Sequence, residues 1–379
     1  MHTLSKTLCL LLLLVTGLFA TGCASDAQVM QAASGMHQQL EPAVIQDPEL
    51  ANYLQQIGER IIASAKELDH QGYGPKSHKS SDASWMFGDK MKFHFVNSNT
   101  LNAFTTGGEH MYIYTELFET ARTEDELAAV MAHEYAHIYA RHVNKGMNRQ
   151  YGAMAAAAAL AGAGYLYGGD EKGGQYAALG ATAGMAGGQF VNMGFTRKDE
   201  NEADKLGFDF YTRAGWDPDK FDDFFQQMID KGLDTTPEMI SDHPSLKNRV
   251  VETKQRVKDL PPSAQSWRRP PVAPPERFRQ LQARAAELGK TLPSDKSLSG
   301  TQELLAALPR SCIAPVPQTD EIKAREDLAA KAQAAQQQQQ PAGQSSAAPA
   351  QPAKKKKKQP AAAAATTPPP SQQVISSPK

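Results

Sequence analysis

Apolar residues recur with helical and strand periods along the first two thirds of the chain, and then lose both. Leu50, Leu54, Ile57, Ile61 and Ala65 fall at i, i+4, i+7, i+11 and i+15, one stripe that predicts an amphipathic helix. Asp47-Pro48-Glu49 ahead of it is a start signal, with proline at an early helical position. Met91, Phe93 and Phe95 alternate with Lys92 and His94, the period of a half-buried strand. A turn at Ser98-Asn99-Thr100 follows. A second strand at 111–114, introduced by Gly107-Gly108, suggests a small antiparallel sheet beside helices. Thr123 and Glu126 form a capping box that opens a helix running to about Val143. Helical patterning resumes over 198–211, 218–231 and 246–257, the last helix of the domain, and Pro261-Pro262 closes the compact region.

Outside these segments composition takes over. Lys6, the apolar run from Leu8 to Leu14 and the small residues Ala20-Thr21-Gly22 make residues 1–22 a secretory signal. Leu18-Phe19-Ala20-Thr21-Gly22-Cys23 resembles a bacterial lipobox, with Ala20 where leucine is commoner, and marks Cys23 for lipidation. Ala24 rather than aspartate after it favours, by analogy with bacterial sorting, the periplasmic side of the outer membrane. Each buried acyl CH₂ contributes about 0.8 kcal/mol to such an anchor. With Cys9 removed and Cys23 acylated, Cys312 stands alone, so an exported fold has no internal disulfide to lean on. Residues 23–40 read as a tether. The Ala/Gly-rich tract 152–188 suits close helix packing or a movable lid more than a span, because its apolar runs fall short of the ~20 residues a span needs. Residues 261–319 are Pro-rich with short helices, and 320–379 form a low-complexity tail expected to be disordered. Lys354 to Lys358 in that tail could meet an envelope polyanion, though such runs are commonly plain solvated charge. Overall charge is near balance, 40 Lys+Arg against 41 Asp+Glu, so no basic field points to nucleic acid.

The candidate chemistry sits on the helix that Thr123 opens. Residues four apart on a helix lie about 40° apart on one face, so His133 and His137 can offer two imidazoles to one cation. Glu134, one step from the first ligand, can reach a water at that cation and act as general base. Zn²⁺, one per chain, suits such a donor set and lowers the pKa of a bound water to about 7. A third ligand is not supplied by a histidine just downstream: Val143 stands where one would be required, and His142 projects roughly 140° from His137 on ideal helix geometry, solvated or locally paired. In Asp199-Glu200-Asn201-Glu202-Ala203-Asp204, Glu200 and Asp204 share a face and Glu202 points away. An acidic helix start is the commonest meaning of such a run. The functional alternative makes Glu200 the third ligand and Asp204 an acceptor behind a ligand histidine.

Together, His133-Glu134-x-x-His137, Glu200-x-x-x-Asp204 and His243-Pro244 with Arg249 resemble the bacterial zinc metallopeptidases of the HtpX, LoiP and BepA type, related to CAAX prenyl proteases. Asn102-Ala103-Phe104 resembles the segment ahead of that family's active-site helix. The resemblance covers roughly residues 47–257. It implies an α+β fold: a mostly helical zincin-like metallopeptidase domain over 41–260 with a small β-sheet, followed by a largely disordered tail. It further implies an edge strand in the Ala103 to Tyr114 region that binds extended substrate, and a place for Asp204, Arg249 and His243 either behind the ligands or as regulatory residues. His243 is either a ligand at rest or part of a helix-breaking turn. By the resemblance the chain belongs nearest the periplasmic lipoprotein branch, linked to outer-membrane protein quality control, with envelope proteins as substrates. A chaperone-like or binding lipoprotein with little turnover is the alternative; it has no use for a general base at Glu134.

Overall fold

A computed structural model describes residues 25–73, 83–152, 190, 194–234, 245–292, 296–310, 313 and 319–339. Cys23, His243 and Lys354 to Lys358 lie outside the described residues, as does most of the Ala/Gly-rich tract.

The chain opens with helix α1 (Asp26–Leu40), capped at Ser25 by a reciprocal bond with Gln28. This is the segment read as a tether. Val29, Ala33, Met36 and Leu40 recur at helical spacing, and all four are buried, so the segment is held by packing. Its small residues conceal the stripe. Helix α2 (Pro48–His70) follows the expected start: Asp47 accepts a hydrogen bond from the Leu50 N–H, and Leu50, Leu54, Ile57, Ile61 and Ala65 are all buried. Each buried Leu or Ile of that stripe contributes about 1.5–3 kcal/mol.

The sheet has three strands in the order β1-β3-β2: β1 (Lys92–Val96), β2 (Ala103–Thr105) and β3 (His110–Tyr114). It is mixed rather than antiparallel, because the short β2 intervenes between β1 and β3 and reverses the chain once more. The chain reverses after β1, and a hairpin then inserts β3 between the other two, parallel to β1 and antiparallel to β2. The hairpin turn carries Gly107 at φ 72°, a conformation that L side chains rarely adopt. Side-chain alternation divides the sheet into two faces. Phe93, Phe95, Ala103, Met111 and Ile113 join α2 in the main core, while Val96, Phe104, Tyr112 and Tyr114 pack with α1 in a second.

After α3 (Thr115–Thr120) comes α4 (Glu124–Tyr139), buried along almost its whole length. The Thr123 hydroxyl accepts from the Glu126 N–H as expected, but the Glu126 carboxylate bonds the Arg122 N–H one residue before the cap. Helix α4 stops at Tyr139, four residues short of the expected end, because Arg141 takes φ 54° and the chain turns before a further helical stretch over 142–152. Then come α5 (Arg197–Ala214), α6 (Asp223–Asp230) and α7 (Leu246–Lys258).

The fold does not close at Pro261-Pro262. Helix α8 (Pro275–Lys290) places Phe278, Leu281 and Ala285 in the main core, and α9 (Lys296–Ala307) covers the second face of the sheet. Arg284 grips Asp47 with two hydrogen bonds of 3.0 and 2.6 Å, tying α8 to the start of α2. Helix α10 (Thr319–Gln339) occupies the beginning of the expected tail. Among the described residues no helix is long and apolar enough to cross a membrane.

Candidate metal centre

Helices α4 and α5 pack against one another with Gly207 at the contact. A glycine inside a helix costs roughly 0.5–1 kcal/mol relative to alanine. Here it lets α5 lie against the backbone of His133: a Cβ at this position would stand 3.0 Å from both the amide nitrogen and the Cα of His133. The close approach brings Glu200, seven residues earlier on α5, to the two histidines of α4. Thr196 caps α5 through a reciprocal bond with Asp199, so part of the acidic run serves the helix start while Glu200 faces inward.

His133, His137 and Glu200 each offer one donor atom, all within 4.8 Å of one another. The His133 and His137 Nε2 atoms are 3.1 Å apart, and Glu200 oxygens lie 3.4 Å from His133 Nε2 and 4.0 Å from His137 Nε2. Bonds of about 2.0–2.1 Å to a tetrahedral cation set ligand nitrogens roughly 3.3 Å apart, so the imidazole pair has the right separation. Among the described residues neither Glu200 oxygen accepts a hydrogen bond, although both are buried. A buried carboxylate left this way is costly unless it meets a cation. The donor set of two imidazoles and one carboxylate therefore fits a divalent transition metal.

The electrostatics agree. Burial opposes a charge on His133, but the Asp204 carboxylate at Nδ1 and the nearby Glu200 carboxylate outweigh that, and its pKa is pushed up to about 9. Burial and the neighbouring His133 and His142 hold His137 well below its ordinary range.

Behind His133, Asp204 Oδ1 lies 2.9 Å from Nδ1, leaving Nε2 turned towards Glu200 and His137. Arg249 on α7 donates to both Asp204 oxygens, at 2.8 and 2.6 Å, and its guanidinium lies 3.8 Å above the ring of Phe225. Burial alone would raise the Asp204 pKa, but Arg249 and His133 hold it well below the usual carboxylate range. Glu134, on the same turn of α4 as His133, is fully buried.

Behind His137 stands a residue that ideal helix geometry had turned away. The positive φ at Arg141 ends α4 and redirects the chain, so His142 Nδ1 sits 3.0 Å from His137 Nδ1. The other ring nitrogen of His142 lies 3.3 Å from Glu202, so the histidine is buried and paired rather than solvated. Nothing in Ala140-Arg141 marks a left-handed position, and only the three-dimensional path reveals this role. Phe195 stacks on His137 at a centroid distance of 3.9 Å. On the sheet side, Ala103 and Phe104 lie on β2, an edge strand beside α4, and Asn102 donates to the Pro309 carbonyl.

The sequence model of Peptidase family M48 matches residues 48–257, more than half the chain. Curated relatives include the beta-barrel assembly-enhancing protease of Yersinia pestis, 28% identical over 76% of this chain and 51% of that protein. The protein of the same name in Escherichia coli strain K12 is 27% identical, over 65% and 47%. Metalloprotease LoiP of the same strain is 24% identical, over 62% and 82%. The chain thus spans about half the length of the beta-barrel assembly-enhancing relatives.

Proposed function

The chain belongs to peptidase family M48, and from that premise we propose that it is a zinc-dependent endopeptidase of envelope proteins, with His133, His137 and Glu200 as ligands and Glu134 as general base. The observation that carries the reading is the Glu200 carboxylate, buried without a hydrogen-bond donor beside two imidazole nitrogens 3.1 Å apart. When bound, zinc supplies a Lewis acid for the scissile carbonyl and an acidified water. Glu134 takes the proton from the attacking water and returns it to the amine that leaves when the C–N bond breaks. Asp204, clamped by Arg249, fixes the His133 ring with Nε2 turned towards Glu200 and His137, where it would help hold the cation; His142 would steady the His137 ring from its Nδ1 side.

Substrate selection rests on β2. This strand has β3 on one side only among the described residues and lies against α4, so an extended peptide can pair with it along Asn102, Ala103 and Phe104. The secretory signal and the lipobox ending at Cys23 support residence on the periplasmic side of the outer membrane. The names of the two assembly-enhancing relatives support a role in outer-membrane protein quality control.

The test compares the full chain with Glu134→Gln and His133→Ala. About one zinc per chain at this centre is expected in the wild type and in Glu134→Gln, with casein cleavage confined to the wild type. In His133→Ala that zinc is lost. Full cleavage by Glu134→Gln, or after exhaustive chelation, overturns the mechanism. An alanine at Cys23 that leaves the protein in the outer-membrane fraction overturns the anchor.

A further inference from the structure

A second group of imidazoles lies on the face of the sheet that α4 does not touch. His94 comes from β1, His110 from β3, and His37 reaches down from the last turn of α1. One ring nitrogen of each lies within 4.8 Å of the other two. His94 Nε2 and His110 Nδ1 are 2.9 Å apart, and the His37 ring stacks on His110 at 4.0 Å, its plane tilted only 10°. The Tyr112 hydroxyl stands 2.9 Å from His37 Nδ1.

A bland reading makes this a hydrogen-bonded polar cluster, with one bond between His94 and His110 and one from His37 to Tyr112. It accounts poorly for the composition. A structural histidine pair gains most from a carboxylate partner, and none belongs to the group. Three rings drawn from three elements instead lie together, stacked or tilted against one another, each partly buried and each offering a nitrogen to the same spot. We propose that His37, His94 and His110 form a second metal centre, for a divalent transition cation that prefers imidazole nitrogen, Zn²⁺ or Cu²⁺.

The fold prepares such a centre. Pairing between β1 and β3 sets Lys92 opposite His110 and His94 opposite Tyr112, so His94, His110 and Tyr112 share one face of a fixed register. Two ligands are then held by backbone hydrogen bonds before any ion arrives. The third depends on α1, which Gly108 admits closely: a Cβ there would stand 2.6 Å from that of Ala33, one turn before His37. Tyr112 on His37 Nδ1 supplies the outer hydrogen bond that orients a ligand ring. Burial, the foremost cause, pushes His94 down to about 3 and His110 to about 4, which keeps both imidazoles in the neutral form that ligates. A cation here would pin α1 to the sheet, a cross-link independent of the peptidase centre.

The experiment uses the full chain carrying His133→Ala and His137→Ala, so that the first centre is out of play. The protein is stripped with a chelator, equilibrated with Zn²⁺ or Cu²⁺ alone, and dialysed. The expected result is about one equivalent retained and a higher melting temperature with the metal present, both lost on adding His94→Gln and His110→Gln. His37→Gln, at the surface of α1, is the arm least able to disturb folding, and is expected to weaken the affinity at least tenfold with an unchanged circular dichroism spectrum. Failure of the folded His133→Ala/His137→Ala chain to retain either metal overturns the proposal, as does retention that survives His37→Gln undiminished. Neither outcome bears on the peptidase assignment.

Discussion

Gly207 and His133 are in contact through backbone: a Cβ added to the glycine would lie 3.0 Å from the amide nitrogen and Cα of the histidine. Peptide backbone inside a buried helix cannot move aside as a side-chain tip can. Gly207→Ala therefore gains intrinsic helix propensity and loses the spacing that brings Glu200 to the histidines. Overpacking of this kind costs typically about 1–3 kcal/mol, more than the roughly 0.5–1 kcal/mol gained. The expected outcome is a lower urea midpoint together with a kcat/KM on a peptide substrate reduced tenfold or more. Unchanged kinetics would show that the helix separation does not set the site.

Asp204 gives a second prediction, with a definite sign. Its folded-state pKa lies below the unfolded value of about 3.9, so its stabilisation is fully present above that pH and is lost as pH falls towards the folded value. Asp204→Asn is expected to lower stability at pH 7 and to flatten the acid limb below the unfolded pKa of about 3.9, as read from urea midpoints taken at pH 7 and then downwards through that value. Arg249→Ala leaves a buried carboxylate facing His133 alone and is expected to cost about 3–5 kcal/mol.

His142 touches neither the Glu200 carboxylate nor the Nε2 nitrogens, so its removal acts through the His137 ring. His142→Ala should lower zinc affinity by about 10–100-fold, the usual effect of losing a partner behind a ligand. Competition with a chromophoric chelator reads this directly. Glu202→Gln should follow with a smaller loss, since Glu202 meets the other side of His142 and its carboxyl is pulled to about 2 by that contact.

Glu124 carries the prediction about domain extent. Its buried carboxylate accepts from Trp216 Nε1 at 3.0 Å and from the backbone N–H groups of Val272 and Ala273 at 2.7 and 2.6 Å. The first residue of α4 thereby holds the Pro-rich segment as part of the fold. Glu124→Ala removes the acceptor of four donors, the Tyr53 hydroxyl included, at about 1–3 kcal/mol for each one left buried. A chain truncated after Leu260 loses Phe278 and Leu281 from the main core and is expected to be insoluble or to melt well below the full chain. Limited proteolysis checks the former, with early cleavage near residue 270 expected in Glu124→Ala.

Much of this was legible in sequence because the relevant groups repeat with a period or stand at a fixed spacing. The α2 stripe, the Thr123 cap and the pairs His133/His137 and Glu200/Asp204 are all local, and local geometry follows from backbone period alone. What stayed hidden depends on contacts far apart in the chain. Helix α1 is written in small residues whose burial is decided by the sheet beneath. Strand β2 has three residues, too few to show a period. The turn at Arg141 carries no glycine, so His142 could be placed only by the folded path. Pro261-Pro262 reads as an ending, yet Glu124, more than a hundred residues earlier, draws the following segment back.

The seating of α1 also changes what a lipid at Cys23 would accomplish. Asp26, the first residue of that helix, pairs with Arg141 at 2.8 Å, in the turn that follows α4. Only Ala24 and Ser25 stand between it and Cys23, a reach of about 10 Å at full extension. With Cys23 acylated as proposed, this end of the fold would have almost no leash. The lipid would then act as a mounting that holds α1 close to the bilayer, rather than as a long tether.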